Sequence, residues 1–259
     1  MKQKNKKIAE VAALAGRIML ESHAESYRVE DTVVRIMKTS GLSITEAVST
    51  TTGLFLTLDD EDDSVEPVTL VRRISERGNH LNKIYRVNNI SRMLTSGEIT
   101  PDEAYERLQV VDESEYTAYR KDIATIMIVV SFTILLNGSI WDVLFSFLAG
   151  MVVAISRFGQ EWLDLNGFIN GIFSTFLTSL FITLGASLLP GNINSHIVTI
   201  AALMPLYPGT AFTNGIRDTL KGDYVSGIAR IADAIVIALS LAIGVAIGLY
   251  VAGRILAWI

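Results

Sequence analysis

The chain has 259 residues, no cysteine and a formal net charge of −5. Without cysteine there is no disulfide framework, no thiolate nucleophile and no cysteine-based metal site, and no basic stripe along the sequence suggests a nucleic-acid partner. Of the 22 lysines and arginines, 17 precede Asp122, so the sequence predicts a polar domain over residues 1–121 and an apolar, membrane-spanning domain over residues 122–259.

The polar half begins with two predicted helices. Apolar residues recur at helical spacing over residues 8–19 and again over residues 29–37. The basic start resembles a signal peptide, but Glu10 and Arg17 interrupt the apolar stretch that such a peptide requires. We therefore expect a retained amphipathic helix.

Strand-forming residues follow these helices. The segments TEAVSTTTGLFLTLDD and EPVTLVRRIS flank the acidic run 59–63 and are predicted to be strands joined by a solvated loop. The acidic run lacks the spaced pattern of a calcium loop, so no metal site is expected. Residues 81–94 return to helix, and Thr100-Pro-Asp-Glu103 has the capping box of a further helix. The half is predicted to be an α+β domain.

Charged residues concentrate at the junction of the first two helices. They include Glu21, Glu25, Arg28 and Glu30. These side chains could form a polar site or a docking surface for the membrane half. They could equally be capping acids and solvated faces of an ordinary helix-turn-helix junction, and the sequence leaves both interpretations open.

The second half contains apolar stretches for about five transmembrane helices. They cover residues 123–136, 140–155, 168–189, 196–216 and 225–252. Lysine or arginine occurs in the predicted loops 157–166 and 217–223, so the positive-inside rule places the N-terminal domain in the cytoplasm and the C-terminus outside. The predicted fold class is an α-helical membrane protein with about five transmembrane helices, one of them broken, preceded by a cytoplasmic α+β domain.

The fourth span is interrupted by two prolines. Eight residues separate His196 from Pro205, which span only about 12 Å of a hydrocarbon core about 30 Å thick. The prolines lack a backbone N–H, so nearby peptide groups lose their helical partners. In transporters, such half-helix ends bind small charged solutes. We therefore predict a substrate-binding segment that comprises Pro205, Pro208, Gly209, Thr210, Thr213 and Asn214.

Four charged residues lie in or beside the last spans and are candidates for proton coupling or gating: Asp233, Arg217, Asp218 and Arg230. Asp233 lies about two turns into the last helix, where it could accept a proton if burial raises its pKa towards neutrality. The other three could equally be ordinary anchors at the membrane interface. Glycine pairs at 167/171 and 244/248 have the spacing that lets transmembrane helices pack closely, although glycine is frequent in any membrane helix.

Three blocks carry a family likeness: RVEDTVVRIM with the upstream EVAALAGRIMLES, STTTGLFLTL, and MPLYPGTAFTNGIRDTLKGDYVSGIARIADA. Together they resemble the threonine/serine exporter family. The resemblance implies export of small hydrophilic metabolites across the cell membrane, either threonine and serine or dicarboxylates such as succinate, with coupling to the proton gradient. Full-length members have about ten crossings, so the resemblance implies the larger subunit of a split exporter with a separate small membrane partner.

Two other classes remain at this stage. A non-transporting sensor or assembly subunit would use its helices only as an anchor. A membrane-tethered hydrolase is disfavoured, because the three histidines form no H-E-x-x-H and there is no G-x-S-x-G. We therefore expect no enzyme activity and no cofactor, and the number of copies in the assembly, including a homo-oligomer, is left open.

Overall fold

The computed structural model describes residues 2–75, 77–113, 116–163 and 165–258. By contacts the chain forms two compact units, Met1–Glu115 with Gly209–Ala232, and Tyr116–Pro208 with Asp233–Ile259. Residues 209–232, which the sequence predicts to lie in the second domain, group with the first unit by these contacts. The polar contacts responsible are described below.

The first unit contains α-helices on one side of a small sheet. Its elements are α1 (Lys2–Glu21), α2 (Ser26–Lys38), β1 (Ile44–Thr50), β2 (Gly53–Asp59), β3 (Val68–Arg73), α3 (Leu81–Thr95), α4 (Pro101–Asp112), and the later α9 (Gly209–Leu220). The first nine residues of α10 (Tyr224–Leu256) also belong to this unit. The predicted α+β character of the N-terminal half is confirmed.

Helix α1 forms the centre of this unit. Its apolar residues from Ile8 to Met19 are almost completely buried, and they pack with α2, α3, α4 and two strands. Gly16 allows the close approach, because a Cβ atom there would lie 2.7 Å from Val33 Cγ2. The predicted amphipathic helix is therefore the core helix of the domain.

The sheet is antiparallel, in the order β1-β2-β3. Leu54, Leu56 and Leu58 alternate along the central strand and are buried, which is the pattern of a sheet covered on one face. The first predicted strand segment is in fact a hairpin, with a turn at Thr51 and Thr52. The residue pattern does not predict this turn, because threonine favours strands and neither position is glycine, proline or asparagine.

The capping box before α4 is confirmed. Glu103 N donates to Thr100 Oγ1 at 3.3 Å, and Thr100 N donates to Glu103 Oε2 at 2.8 Å. Pro101 occupies the first turn. These bonds satisfy backbone donors that a helix start otherwise leaves without partners.

The second unit is helical. It contains α5 (Ala118–Leu135), α6 (Ile140–Leu163), α7 (Gly167–Leu188), α8 (Ser195–Leu203) and the rest of α10. Helix α6 continues to Leu163, although the sequence predicts a loop that begins at residue 157. Among the described helices, α7 and α10 are long and apolar enough to cross a membrane, and Ile140–Ser156 and Ser195–Leu206 are shorter apolar helices. A predominantly helical chain compatible with a membrane is therefore shown, whereas the count of five crossings stays a prediction.

Helices α7 and α10 pack closely against each other at the second glycine pair, Gly244 and Gly248. A Cβ atom at Gly248 would lie 2.7 Å from Phe176 O, and one at Gly244 would lie 3.0 Å from the carbonyl carbon of Ile172. Gly171 likewise contacts α10, but Gly167 has nothing within 4 Å. The 244/248 pair is thus a helix–helix contact, and the 167/171 pair contributes only its second member.

The predicted helix break is confirmed. Helix α8 ends at Leu203, a 3₁₀ turn covers Met204–Leu206, and α9 begins at Gly209. Pro205 lies in the 3₁₀ turn and Pro208 immediately precedes α9, as expected for residues that cannot donate to a continuing helix.

Candidate functional site

Helix α9 makes a group of polar contacts with distant parts of the chain. Asp218 is 1% exposed and Arg230 of α10 is 4% exposed, with Arg230 Nε 3.0 Å from Asp218 Oδ2. The backbone N–H and the hydroxyl of Ser26 donate to the same carboxylate at 3.3 and 3.2 Å. Arg230 Nη2 also donates to the carbonyl oxygen of Ala24 at 2.8 Å. The start of α2, α9 and the start of α10 are thus joined through one buried carboxylate.

Further contacts run along α9 on the same side of the unit. Arg217 forms an ion pair with Glu25, and Asn214 Nδ2 donates to the carbonyl oxygen of His23 at 2.8 Å. At the beginning of the helix, Thr210 Oγ1 donates to Asn79 Oδ1 at 2.7 Å. We call these contacts, together with those of Asp218 and Arg230, the polar junction.

Burial raises the pKa of Asp218 above its ordinary value, and the positive charge of Arg230 and the two bonds from Ser26 oppose this shift. A buried carboxylate of this kind depends on its cation and its donors, because an unpaired charge in the interior is costly. The junction is therefore a place where loss of one partner changes both the charge state and the stability of the unit.

The residues predicted as a docking surface fall into different environments. Glu25 pairs with Arg217 of α9, whereas Glu30 accepts bonds from the N–H and hydroxyl of Ser49 at 2.7 and 3.1 Å. Glu21 lies 3.6 Å from Arg17 on its own helix. Arg28 is exposed. Of the four, Glu25 is the one that the described contacts connect directly to α9, and a docking role for all four stays a prediction.

The predicted substrate-binding residues lie at and after the break. Thr213 is exposed, and Gly209 begins α9. Thr210 donates its hydroxyl hydrogen to Asn79, and Asn214 uses its amide on His23. In this structure those two groups therefore serve the polar junction, and the segment's role in substrate binding stays a prediction.

The four charged residues predicted for proton coupling or gating lie in two different environments. Arg217, Asp218 and Arg230 belong to the polar junction, and Asp233, one turn after Arg230, is exposed in this single chain. The burial on which its proton-coupling role depends is thus absent here, since the chain's own helices do not cover that face. The coupling role remains a prediction.

Several contact residues were missed from the sequence. Ser26, His23 and Asn79 carry no motif, and only the tertiary fold brings them to α9. His23 has a positive φ of 62°, which is uncommon outside glycine.

Asp142, in contrast, could have been found from the sequence, because Ser139-x-x-Asp142 is a capping pattern. Its carboxylate accepts hydrogen bonds from Ser139 N at 2.7 Å and from Asn194 N at 2.6 Å.

Hydroxyl side chains of α7 form hydrogen bonds to their own helix and to α10. Thr178 Oγ1 donates to Ser174 O at 2.7 Å, and Thr175 Oγ1 shares its single hydrogen between Gly171 O and Leu241 O, at 2.8 and 3.1 Å. These hydroxyls therefore satisfy backbone carbonyls. Among the residues that the structure describes, no group of three or more His, Asp or Glu side chains could hold a metal ion.

Comparison with known proteins gives a consistent result. Residues 10–252 match the model of the family described as a threonine/serine exporter, ThrE. The chain is 22% identical over 230 residues to the "Probable threonine/serine exporter" of Mycobacterium tuberculosis, covering 87% of this chain and 40% of that protein. It is 25% identical over 229 residues to the "Probable succinate transporter subunit YjjP" of Klebsiella aerogenes, covering 88% of this chain and 87% of that protein. No solved structure matches.

Proposed function

The chain belongs to the threonine/serine exporter family, and on that premise we propose that it is a subunit of a secondary transporter for small hydrophilic carboxylates. Its relatives are named as transporters and not as enzymes, and transport implies a location in a membrane. The candidate substrates are threonine, serine and dicarboxylates such as succinate. The observation that carries the proposal is the interrupted helix between Leu203 and Gly209, because broken helices supply solute sites in transporters.

A partner subunit is part of the proposal. The chain spans 40% of the length of the exporter relative and 87% of the relative named a succinate transporter subunit. Large apolar side chains such as Leu239 and Ile247 are exposed along α10, and lipid or a second membrane protein must cover such a surface. A separate small membrane protein would supply the remaining helices.

The chemistry of the proposed binding segment suits a carboxylate. Helix α9 begins at Gly209 after a proline, and the backbone N–H groups and dipole of a helix start favour a negative charge. No acidic residue lies in its first turn, so nothing there repels an anion. The exposed hydroxyl of Thr213 is available to the remainder of the solute.

The polar junction gives the N-terminal residues a role in this mechanism. Asn79, His23 and Glu25 hold α9 at successive positions from its first turn to Arg217. We propose that this contact sets the position of the binding segment, and that Asp233 and the junction charges control coupling or gating. The N-terminal domain would lie in the cytoplasm and the C-terminus outside, following the distribution of Lys and Arg.

Efflux of labelled solutes tests the proposal. Cells that contain the chain and its partner are loaded with labelled threonine, serine or succinate, and efflux is followed for the wild type, Gly209→Leu and Asp233→Asn. We expect export of at least one solute and slower export by both variants. Absence of export in the wild type at normal membrane abundance would favour the alternative, a non-transporting sensor or assembly subunit.

Two control substitutions match the test variants. Gly253→Leu places the same side chain at a glycine of α10 that has nothing within 4 Å. Asp63→Asn removes one negative charge from the exposed acidic loop. Both controls are expected to export at the wild-type rate, and wild-type rates for Gly209→Leu and Asp233→Asn would remove those residues from the mechanism.

A further inference from the structure

A cavity of about 560 Å³ lies in the first unit, where the end of α1 meets the segment between β3 and α3. Its volume is within the range of about 300–1,000 Å³ that is usual for small-ligand sites. Its lining includes Ser22, Gly78 and His80. None of the residues predicted from the sequence as substrate-binding contributes to it.

Cationic side chains outnumber carboxylates among the cavity's described lining residues. Among the described residues that line it, four are cationic and two are carboxylates: Arg17, Arg73, Arg77 and Lys83, with Glu21 and Asp112. The chain as a whole has a net charge of −5, so this surplus of two positive charges opposes the overall balance. A concave surface with such a surplus attracts anions.

Both carboxylates of the cavity, Glu21 and Asp112, lie beside Arg17. Arg17 Nη2 forms an ion pair with Asp112 Oδ2, and Arg17 Nη1 lies 3.6 Å from Glu21. Lys83 Nζ donates to the backbone oxygen of Asp112 at 2.7 Å. Arg17 thus lies beside both carboxylates, and the other cationic residues of the lining are Arg73, Arg77 and Lys83.

A buried hydroxyl at the cavity gives an independent indication of a ligand. Ser22 is 1% exposed, and its Oγ has no hydrogen-bond partner among the described residues. A buried polar atom without a partner is uncommon and costly. The Ser22 Oγ is inaccessible from the cavity, so rotation about the Ser22 χ1 angle would bring it to an oxygen of a bound molecule.

We infer that this cavity binds a small molecule with at least two negative charges, of the carboxylate or phosphate class, as an effector of α9. Two negative charges match the surplus of two positive charges, and guanidinium groups bind carboxylate and phosphate oxygens with strong, charge-assisted hydrogen bonds.

The cavity wall is directly connected to the polar junction. Gly78 N donates to Glu21 O at 2.8 Å, which joins the two chain segments of the wall. The next residue, Asn79, accepts a bond from Thr210, and the backbone of His23, beside Ser22, accepts from Asn214. A ligand that orders this wall would therefore order the groups that hold α9.

Calorimetric titration of the purified full chain tests the binding. Succinate, inorganic phosphate and pyrophosphate are titrated separately, with ionic strength held constant by chloride. We expect saturable binding of at least one anion, weakened about tenfold or more by Arg73→Gln and by Arg77→Gln, since each removes a charge-assisted bond. Arg92→Gln, an equal change at an exposed site on α3 that does not line the cavity, should bind as the wild type does.

Saturable binding by none of the three anions would overturn the inference, and so would wild-type affinity in both test variants. The effector role is read from amide hydrogen exchange in residues 209–220, which we expect to slow when the cavity is saturated. Exchange that stays unchanged at saturation would overturn that role. Neither readout depends on transport, so failure of the proposed function would leave this test interpretable.

Discussion

Arg230 at the start of α10 lies with its Nε 3.0 Å from Asp218 Oδ2 at the end of α9, and both side chains are almost fully buried. The same carboxylate accepts two bonds from Ser26, which is 192 residues away in sequence. The ion pair joins α9 to α10, and the bonds from Ser26 and to Ala24 connect both residues to the N-terminal domain, so loss of the pair should be measurable in stability and in pH dependence.

Removing the cation should destabilise the chain. Arg230→Met leaves the Asp218 carboxylate buried without its counter-charge, which costs about 3 kcal/mol in the free energy of unfolding. Thermal unfolding of the purified chain at neutral pH measures the loss. The double variant Arg230→Met with Asp218→Asn should recover most of it, because it buries no charge, and additive losses would contradict the ion-pair account. Arg254→Met removes the same charge from an exposed site on α10 and is the control.

The same pair predicts a pH dependence with a definite sign. Burial raises the pKa of Asp218 in the folded chain, and an unfolded aspartate titrates near about pH 3.9. The folded state therefore binds this proton more tightly than the unfolded state does. The stability that this difference gives is fully present below the unfolded pKa and is lost as the pH rises through the folded pKa. Arg230→Met removes the charge that opposes the shift, so its stability relative to the double variant should fall as pH rises from about 4. A difference that stays constant with pH would contradict this sign.

The ion pair of Glu25 with Arg217 should behave as a surface pair. The Arg217 side chain is 53% exposed and that of Glu25 is 12% exposed, so solvent screens the attraction, and we expect a coupling of at most about 1 kcal/mol. Charge reversal by Arg217→Glu should speed amide exchange in residues 209–220, and adding Glu25→Arg should restore part of the protection.

Salt distinguishes this pair from the buried one. Raising the salt concentration to about 1 M should remove most of the Glu25–Arg217 coupling, because that concentration screens exposed charges beyond about 3 Å. The Asp218–Arg230 coupling should persist under the same conditions. Equal salt sensitivity of the two couplings would show that their different burial has no energetic consequence.

Glycine at the contact of α7 with α10 should be irreplaceable. A Cβ atom at Gly248 would lie 2.7 Å from Phe176 O, which is too close for any real contact, so Gly248→Ala must push the helices apart at a cost of about 2 kcal/mol. The matched change Gly253→Ala, on the same helix with nothing within 4 Å, should be neutral or slightly stabilising, since alanine favours helix over glycine. Thermal unfolding compares the two, and equal effects would contradict the packing.

Local features of this chain could be predicted from its sequence, and long-range ones could not. The break at Pro205 and Pro208 and the capping box at Thr100 and Glu103 depend on neighbouring residues alone, and both are present. The sequence predicts residues 209–216 as the second half of a broken membrane span, but Thr210 and Asn214 bond to the N-terminal domain. No local pattern identifies Ser26 or His23 as partners of α9, because they reach it only after the whole unit has folded.

Solvent access at the binding segment tests the central claim most directly. The chain has no cysteine, so the Thr213→Cys variant carries one reactive thiol. If a negatively charged, membrane-impermeant methanethiosulfonate reagent modifies this thiol, water reaches residue 213. Leu239→Cys, at an exposed apolar position of α10, is the control and should resist the reagent because lipid or a partner covers it. The account predicts that residue 213 reacts and that saturating threonine, serine or succinate slows the reaction. Failure to react, or a rate that none of the three solutes changes, would contradict a carboxylate site at the broken helix.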